Sequence, residues 1–251
     1  GLLLGSFSYG QTISTLFFED FDLPSGPNLV TTTAIGGVGN LWKDTTLVSV
    51  SPANSYFVKG AQGGTNIVLE TNSFSTVGNP FVKLSFKQIA KIIALNSAFV
   101  EVSIDNGATW TLLNDKQYLG NDGLFNNAFW FNSTSHGTIS SQPWKPNQVL
   151  AIPDNTWWIE EQFDLTGVLS DTSTTPPTGY PNVKVRFRAN FNSPNISPSN
   201  PATHNKFSAG WFVDDIEVTG APCELSPPQL NFNSLPTICY ANNPIGKIVL
   251  D

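Results

Sequence analysis

The chain contains no methionine, and histidine and cysteine occur only twice each. Charge is scarce too: 12% of residues are Asp, Glu, Lys or Arg, about half the usual share of a soluble domain. What charge there is leans acidic, with net −7 and a pI near 4.7. Phosphate backbones need a basic field, so this balance excludes nucleic acid as the main partner. No run of 18 or more apolar residues occurs in the sequence, so no helical membrane span is expected. His136 and His204 both sit in polar sequence without a nucleophile signature, and His-Glu-x-x-His, Gly-x-Ser-x-Gly and phosphate-loop patterns are missing. Glu160 and Glu161 are adjacent, so on a strand they face opposite ways and cannot flank one glycosidic bond. Two thiols fall short of a zinc site. The sequence argues against an enzyme.

Gly 20 and Pro 18, with abundant Asn, Ser and Thr, supply many turns, and 18 Phe with 7 Trp supply core. Together they describe a turn-rich extracellular β protein. Residues 1–10 read as the remnant of an apolar signal peptide, with Ser8 and Gly10 as the small residues before a cut at Gln11. The missing methionine agrees with such trimming, so the expectation is an exported chain, secreted or at the cell surface. Cys223 and Cys239 are a candidate disulfide in that setting. Cys239 has an equal alternative in a cysteine beyond Asp251.

Period-two alternation recurs along the chain. Val82, Leu84 and Phe86 alternate with Lys83, Ser85 and Lys87. Val100, Val102 and Ile104 alternate with Glu101, Ser103 and Asp105, and Val183, Val185 and Phe187 with Lys184, Arg186 and Arg188. Such patterns predict half-buried antiparallel strands with one wet face, packed as two sheets. Gln88–Leu95 suits a strand or a helical turn. Long irregular stretches at 115–156 and 190–208 interrupt the pattern. The proline-rich run 221–228 marks a boundary between a domain over 11–220 and a segment, 229–251, too short to bury its own core. That segment is expected to begin a second, immunoglobulin-like β domain.

Two terminal motifs stand out. Phe17, Glu19 and Phe21 share one face of an early strand, and Phe212, Asp214, Ile216 and Val218 one face of a late strand. Each apolar row carries one carboxylate, which is very costly to bury unless a cation meets it. The pairing predicts neighbouring terminal strands that share one metal ion, or that each meet a Lys or Arg.

Ser103-Ile-Asp-Asn-Gly-Ala-Thr-Trp110 fits the Asp-box pattern, a hairpin device. Asp105 bonds turn backbone, Gly107 supplies positive φ and Trp110 packs back over the turn. Lys83, Lys87, Lys184, Arg186 and Arg188 make a cationic face if their two strands are neighbours, able to dock acidic glycans or a partner chain. Trp130 and Trp144, with Trp157, Trp158, Phe129 and Phe131, are candidates for a sugar-stacking platform or for ordinary packing.

The order Phe-Glu, Val-Leu-Glu-Thr, Val-Lys-Leu-Ser-Phe, Asp-box, Trp-Trp-Ile-Glu-Glu-Gln-Phe-Asp-Leu, Val-Lys-Val-Arg-Phe-Arg and Gly-Trp-Phe-Val-Asp-Asp-Ile resembles a known group. It is similar to the secreted jelly-roll domains related to reelin repeats, MAM domains and carbohydrate-binding modules, over about Ser14–Gly220. Similar modules accompany secreted bacterial metalloproteases and large surface proteins of gliding Bacteroidota. The resemblance implies a structural calcium held by Glu19 and Asp214, with Asp20 and Asp215 as further ligands and backbone carbonyls completing the shell. It implies a non-catalytic adhesion or binding module, exported by type IX secretion, meeting a glycan, a surface protein or an outer-membrane partner. A carbohydrate-binding module and an accessory domain of a secreted protease or glycosidase are the alternatives.

Overall fold

The computed structural model describes residues 12–22, 30–35, 42–59, 65–91, 96–119, 153–171, 173–174, 178–191 and 210–222. Among these residues, eleven strands form two antiparallel sheets. The first contains β1 (Ser14–Glu19), β3 (Lys43–Thr45), β4 (Ser55–Lys59), β6 (Phe81–Lys91), β9 (Ile159–Asp164) and β11 (Gly210–Ala221). The second runs in the order β2 (Val30–Ile35), β5 (Thr65–Thr71), β10 (Lys184–Phe191), β7 (Asn96–Ser103) and β8 (Thr111–Leu112). The chain changes sheet at nearly every connection, which gives a jelly-roll β-sandwich. A 3-10 turn at Asn155–Trp157 and one helical turn, α1 (Thr166–Leu169), are the helical elements among the described residues. None of their helices is long and apolar enough to cross a membrane.

Alternation explains the core. Leu84, Phe86, Val100, Val102, Phe163, Val185 and Phe187 point between the sheets and are all buried. Aromatic rings lock the middle, with Phe187 edge-on to Phe86 at 4.9 Å and to Trp211 at 5.7 Å between centroids. The region from Gln88 onward is strand as far as Lys91. A smaller apolar cluster of Val48, Ile89 and Phe212, backed by Phe57, Trp157 and Trp158, lies outside the main core.

β11 decides where the acidic residues go. β6 pairs along one of its edges from Gly210 to Ala221. On the other edge β4 pairs with Gly210–Val213 and β1 with Ile216–Gly220. The handover falls on Asp214 and Asp215, where the register against β6 slips in a bulge and Asp215 takes φ 47°. This corrects one expectation. Phe212, Asp214, Ile216 and Val218 do not share a face. Trp211 and Val213 face the core before the bulge, Ile216 and Val218 after it, and Phe212 belongs to the outer cluster. Asp214, directly opposite Lys87, keeps Phe212's side.

A second expectation also fails. β6 and β10 lie in different sheets, so Lys83 and Lys87 cannot join Lys184, Arg186 and Arg188 in one cationic face. Alternation reports which way a side chain points and is silent about which strands are neighbours. Trp130, Trp144, Cys223, Cys239, residues 1–10, expected as a signal remnant, and residues 229–251 lie outside the described residues.

Candidate metal centre

β1 ends at Glu19 opposite Ile216, two positions past Asp214 on β11. Between the end of β1 and the β11 bulge lies the stretch 46–54, which connects β3 to β4. Its Val50 N–H donates to Asp214 Oδ2 at 2.7 Å. Ser51 Oγ donates to Asp215 Oδ1 at 3.1 Å and lies 3.4 Å from the Asp20 carbonyl oxygen. Asn54 N–H donates to Asp22 Oδ1 at 2.9 Å. Val48 anchors the stretch by packing on Phe212 and Ile89 in the outer cluster. Asp20 and Asp22, just past the end of β1, and Asp214 and Asp215, at the bulge inside β11, are thus stitched together by one loop.

The turn after β1 is shaped by its own acids. Phe21 N–H donates to Glu19 Oε1 at 2.8 Å and Asp22 N–H to Asp20 Oδ1 at 3.2 Å. These bonds bend the chain and seat Phe21 on Tyr56, with ring centroids 4.6 Å apart. Of the four non-glycine residues with positive φ among the described residues, three border this cluster: Phe21, Ala53 and Asp215. Such conformations cost about 1–3 kcal/mol each and persist where the surroundings over-determine them, often at ligand sites.

Electrostatics makes the cluster an unbalanced one. Glu19 and Asp214 are both buried. Burial first, then the nearby Asp215 and Asp22 charges, push the Asp214 carboxyl up to about 7, against the two backbone N–H bonds that favour its charged form. Asp215 is raised for the same leading reason, with Asp20 and Asp22 adding to it and Ser51 and Lys87 opposing. Tyr56 is pushed to about 12 by burial, then by Asp44 and Glu19. Lys87 stands opposite Asp214 but bonds Glu160 Oε2 at 2.5 Å.

The donor set fits a hard cation. It offers carboxylates, a hydroxyl and the Asp20 carbonyl, all oxygen, with negative charge in excess. Calcium takes six to eight such oxygens. Among the described residues no three acidic, histidine or cysteine side chains converge as a ready-made site. Main-chain carbonyls would therefore have to complete the shell around Glu19 and Asp214. The sequence carries no metal-ligand motif over 46–54, so the parts of Val50 and Ser51 are legible only in the structure, whereas Asp22 closes the Phe-Glu-Asp-Phe-Asp run that also supplies Glu19 and Asp20.

The other candidate residues sort themselves by sheet. In the Asp-box, Asp105 Oδ1 accepts from Ser103 Oγ at 2.7 Å and from Thr109 N at 2.8 Å. Gly107 has φ 92° and its carbonyl accepts from Trp110 Nε1 at 3.0 Å. These bonds hold Asp105 down at about 2, the Thr109 hydroxyl being the largest contributor. On β10, Arg186 and Arg188 both pair with Glu101, at 2.6 and 2.8 Å, and Lys184 pairs with Glu70 at 2.8 Å. Glu160 faces out to Lys87, whereas Glu161 is buried and accepts from Gln88 Nε2 at 2.7 Å and Tyr118 Oη at 2.6 Å. Trp211 Nε1 donates to Gln88 Oε1 at 2.7 Å, completing a buried polar chain. The inward parity of Glu161 with Phe163 was its only signal in the sequence.

No family model matches the chain, and neither does any curated protein. Among solved structures, the K1 cleaved adhesin domain of Lys-gingipain from Porphyromonas gingivalis W83 is similar at TM-score 0.43 and 17% identity, covering 82% of this chain and 98% of that one. The K3 cleaved adhesin domain of the same protein gives TM-score 0.41 at 15% identity, covering 82% and 98%. The CBM22-1 xylan-binding domain from Paenibacillus barcinonensis Xyn10C gives TM-score 0.38 at 12% identity, covering 85% and 98%. The architecture of this chain rests on its own strand pairings.

Proposed function

We propose that this chain is a non-catalytic binding module of a secreted or cell-surface protein, working in adhesion and held in shape by structural calcium. One observation carries the calcium: buried Asp214, beside Asp215, Asp20 and Asp22, sits at the point where β11 passes from β4 to β1. A divalent ion there would favour the charged carboxylates and tie the end of β1 and the β11 bulge to the 46–54 stretch. Glu19 and Asp214 would be its side-chain ligands, with Asp20 and Asp215 as further ones. The ion supplies cohesion and no reaction step.

The binding role is supported by where the carboxylates are spent. Glu160 and Glu161 lie on opposite sides of β9, and Glu70 and Glu101 are engaged by Lys184, Arg186 and Arg188. These acids are used for cohesion. On this reading the chain is exported, and its setting is that of the resemblance: a large surface adhesin of a gliding Bacteroidota, carried by type IX secretion. The test is attachment. Beads coated with the full chain should adhere to glycan-bearing or cell surfaces in calcium, release in chelator and re-attach when calcium returns. Attachment indifferent to calcium would contradict the calcium part, and turnover of the surface glycan would contradict the binding part.

A further inference from the structure

The outer face of the second sheet carries a cationic cluster with donors to spare. Glu101, buried on β7, accepts Arg186 Nε at 2.6 Å, Arg188 Nε at 2.9 Å and Arg188 Nη2 at 2.8 Å. Two guanidiniums therefore share one carboxylate. Lys184 is balanced by Glu70, so the cluster of Lys184, Arg186 and Arg188 against Glu70 and Glu101 keeps one positive charge on a chain of net −7. Arg186 is also held from below, with Cζ 4.1 Å from the centroid of the Trp110 ring that the Asp-box turn fixes in place. Arg188 Nη1 goes to Asn66 Oδ1 at 3.2 Å and its Cζ sits 4.3 Å over Phe99.

Arg188 thus has a partner at each of its three nitrogens, and Arg186 only at Nε. Among the described residues, Arg186 Nη1 and Nη2 and Asn66 Nδ2 donate to nothing. A guanidinium pinned by a carboxylate at Nε and by an indole below has lost its rotamer freedom before any ligand arrives. Its two terminal nitrogens present a planar fork that matches a carboxylate. Asn66 Nδ2 and the exposed Thr31 and Thr33 on the same face offer hydroxyl-binding groups alongside. Arg186 and Asn66 lie on the inner strands β10 and β5, away from the sheet edges that an extended peptide would use. Repulsion from the distant acids is screened beyond about 8–10 Å at physiological salt.

We infer that the outer face of the β2-β5-β10-β7-β8 sheet binds an acidic polysaccharide, with Arg186 taking a uronate carboxylate in a bidentate pair and Asn66 a neighbouring hydroxyl. The inference rests on the binding-module reading and narrows its ligand class. Affinity electrophoresis of the full chain tests it, in gels holding polygalacturonate, alginate or hyaluronate and in gels holding neutral glucan, galactan or xylan.

At least one acidic gel should retard the chain tenfold more strongly than the neutral gels do, and added salt should weaken the effect. Arg186→Gln should abolish the retardation, and Arg186→Lys should recover little of it because an ammonium lacks the fork. Circular-dichroism melts establish that both variants fold. Retardation in neutral gels alone would overturn the inference and leave the binding-module reading standing. Retardation in none would overturn the inference and withdraw support from that reading. Retardation unaffected by Arg186→Gln would place the site elsewhere. Competition by poly-glutamate as strong as by oligogalacturonate would overturn the glycan assignment.

Discussion

Glu19 faces Ile216 across the first and last strands, while Asp214, two residues earlier, lies beyond a bulge and accepts the Val50 N–H at 2.7 Å. The two buried carboxylates therefore reach the place where β4 gives way to β1 along β11 by different routes. Glu19 arrives on the core-facing row of β1, and Asp214 on the outer side of β11, covered by the 46–54 stretch.

That cover rests on Phe212. Phe212→Ala removes the ring on which Val48 and Phe57 pack, the latter stacked at 4.1 Å. A loss of about 3–5 kcal/mol is expected, read as a drop in the urea midpoint at unchanged slope. The same variant should weaken calcium stabilisation several-fold, since the stretch bearing Val50 and Ser51 loses its anchor. A variant destabilised by this much but with undiminished calcium response would separate the cluster from the site.

The Asp-box turn gives a sharper local test. Gly107 has φ 92°, yet a Cβ there would meet Trp110 and Glu70 only at ordinary distances, 3.4 and 3.5 Å. Gly107→Ala should therefore cost only backbone strain, about 1–2 kcal/mol. Gly179 is the contrast, because a Cβ there would lie 2.0 Å from the Thr76 carbonyl oxygen. Gly179→Ala must move backbone, and should lower the melting temperature distinctly more than Gly107→Ala.

Acid should loosen the second sheet through Glu101. Burial alone would raise its carboxyl, but hydrogen bonds and charge from Arg188 and Arg186 outweigh that and hold it below 4.5. A depressed carboxylate contributes stability that is present above the unfolded value near 4.5 and is lost as pH falls through the lower folded one. Melts between pH 6 and 2.5 should show this decline, and Glu101→Gln should flatten it while costing about 1–3 kcal/mol at neutral pH. A Glu101→Gln variant with an unchanged acid limb would assign the decline to other carboxylates.

The rows Leu84–Phe86, Val100–Val102 and Val185–Phe187 declare a two-sheet sandwich, because burial on one face imposes period two on the chain. The fixed offsets from Ser103 to Trp110 declare their turn. Asp214 is different. Its face depends on Asp215 entering a left-handed conformation where β11 changes partner, and no alternation pattern encodes a handover between strands roughly 150 and 200 residues away. The assignment of β6 and β10 to separate sheets was illegible for a related reason. Which strands become neighbours is fixed by long-range packing, and the outward rows of two unrelated sheets look alike in one dimension.

Calorimetric titration of calcium into chelator-stripped full chain tests the central claim most directly. The account predicts one saturable site per chain, lost in Asp214→Asn and strongly weakened in Glu19→Gln. Saturation at a hundredfold excess over Kd contributes about 2.7 kcal/mol, a rise in melting temperature of roughly 5–10 °C for a domain of this size. An absence of binding heat, or a site that both variants keep intact, would contradict it.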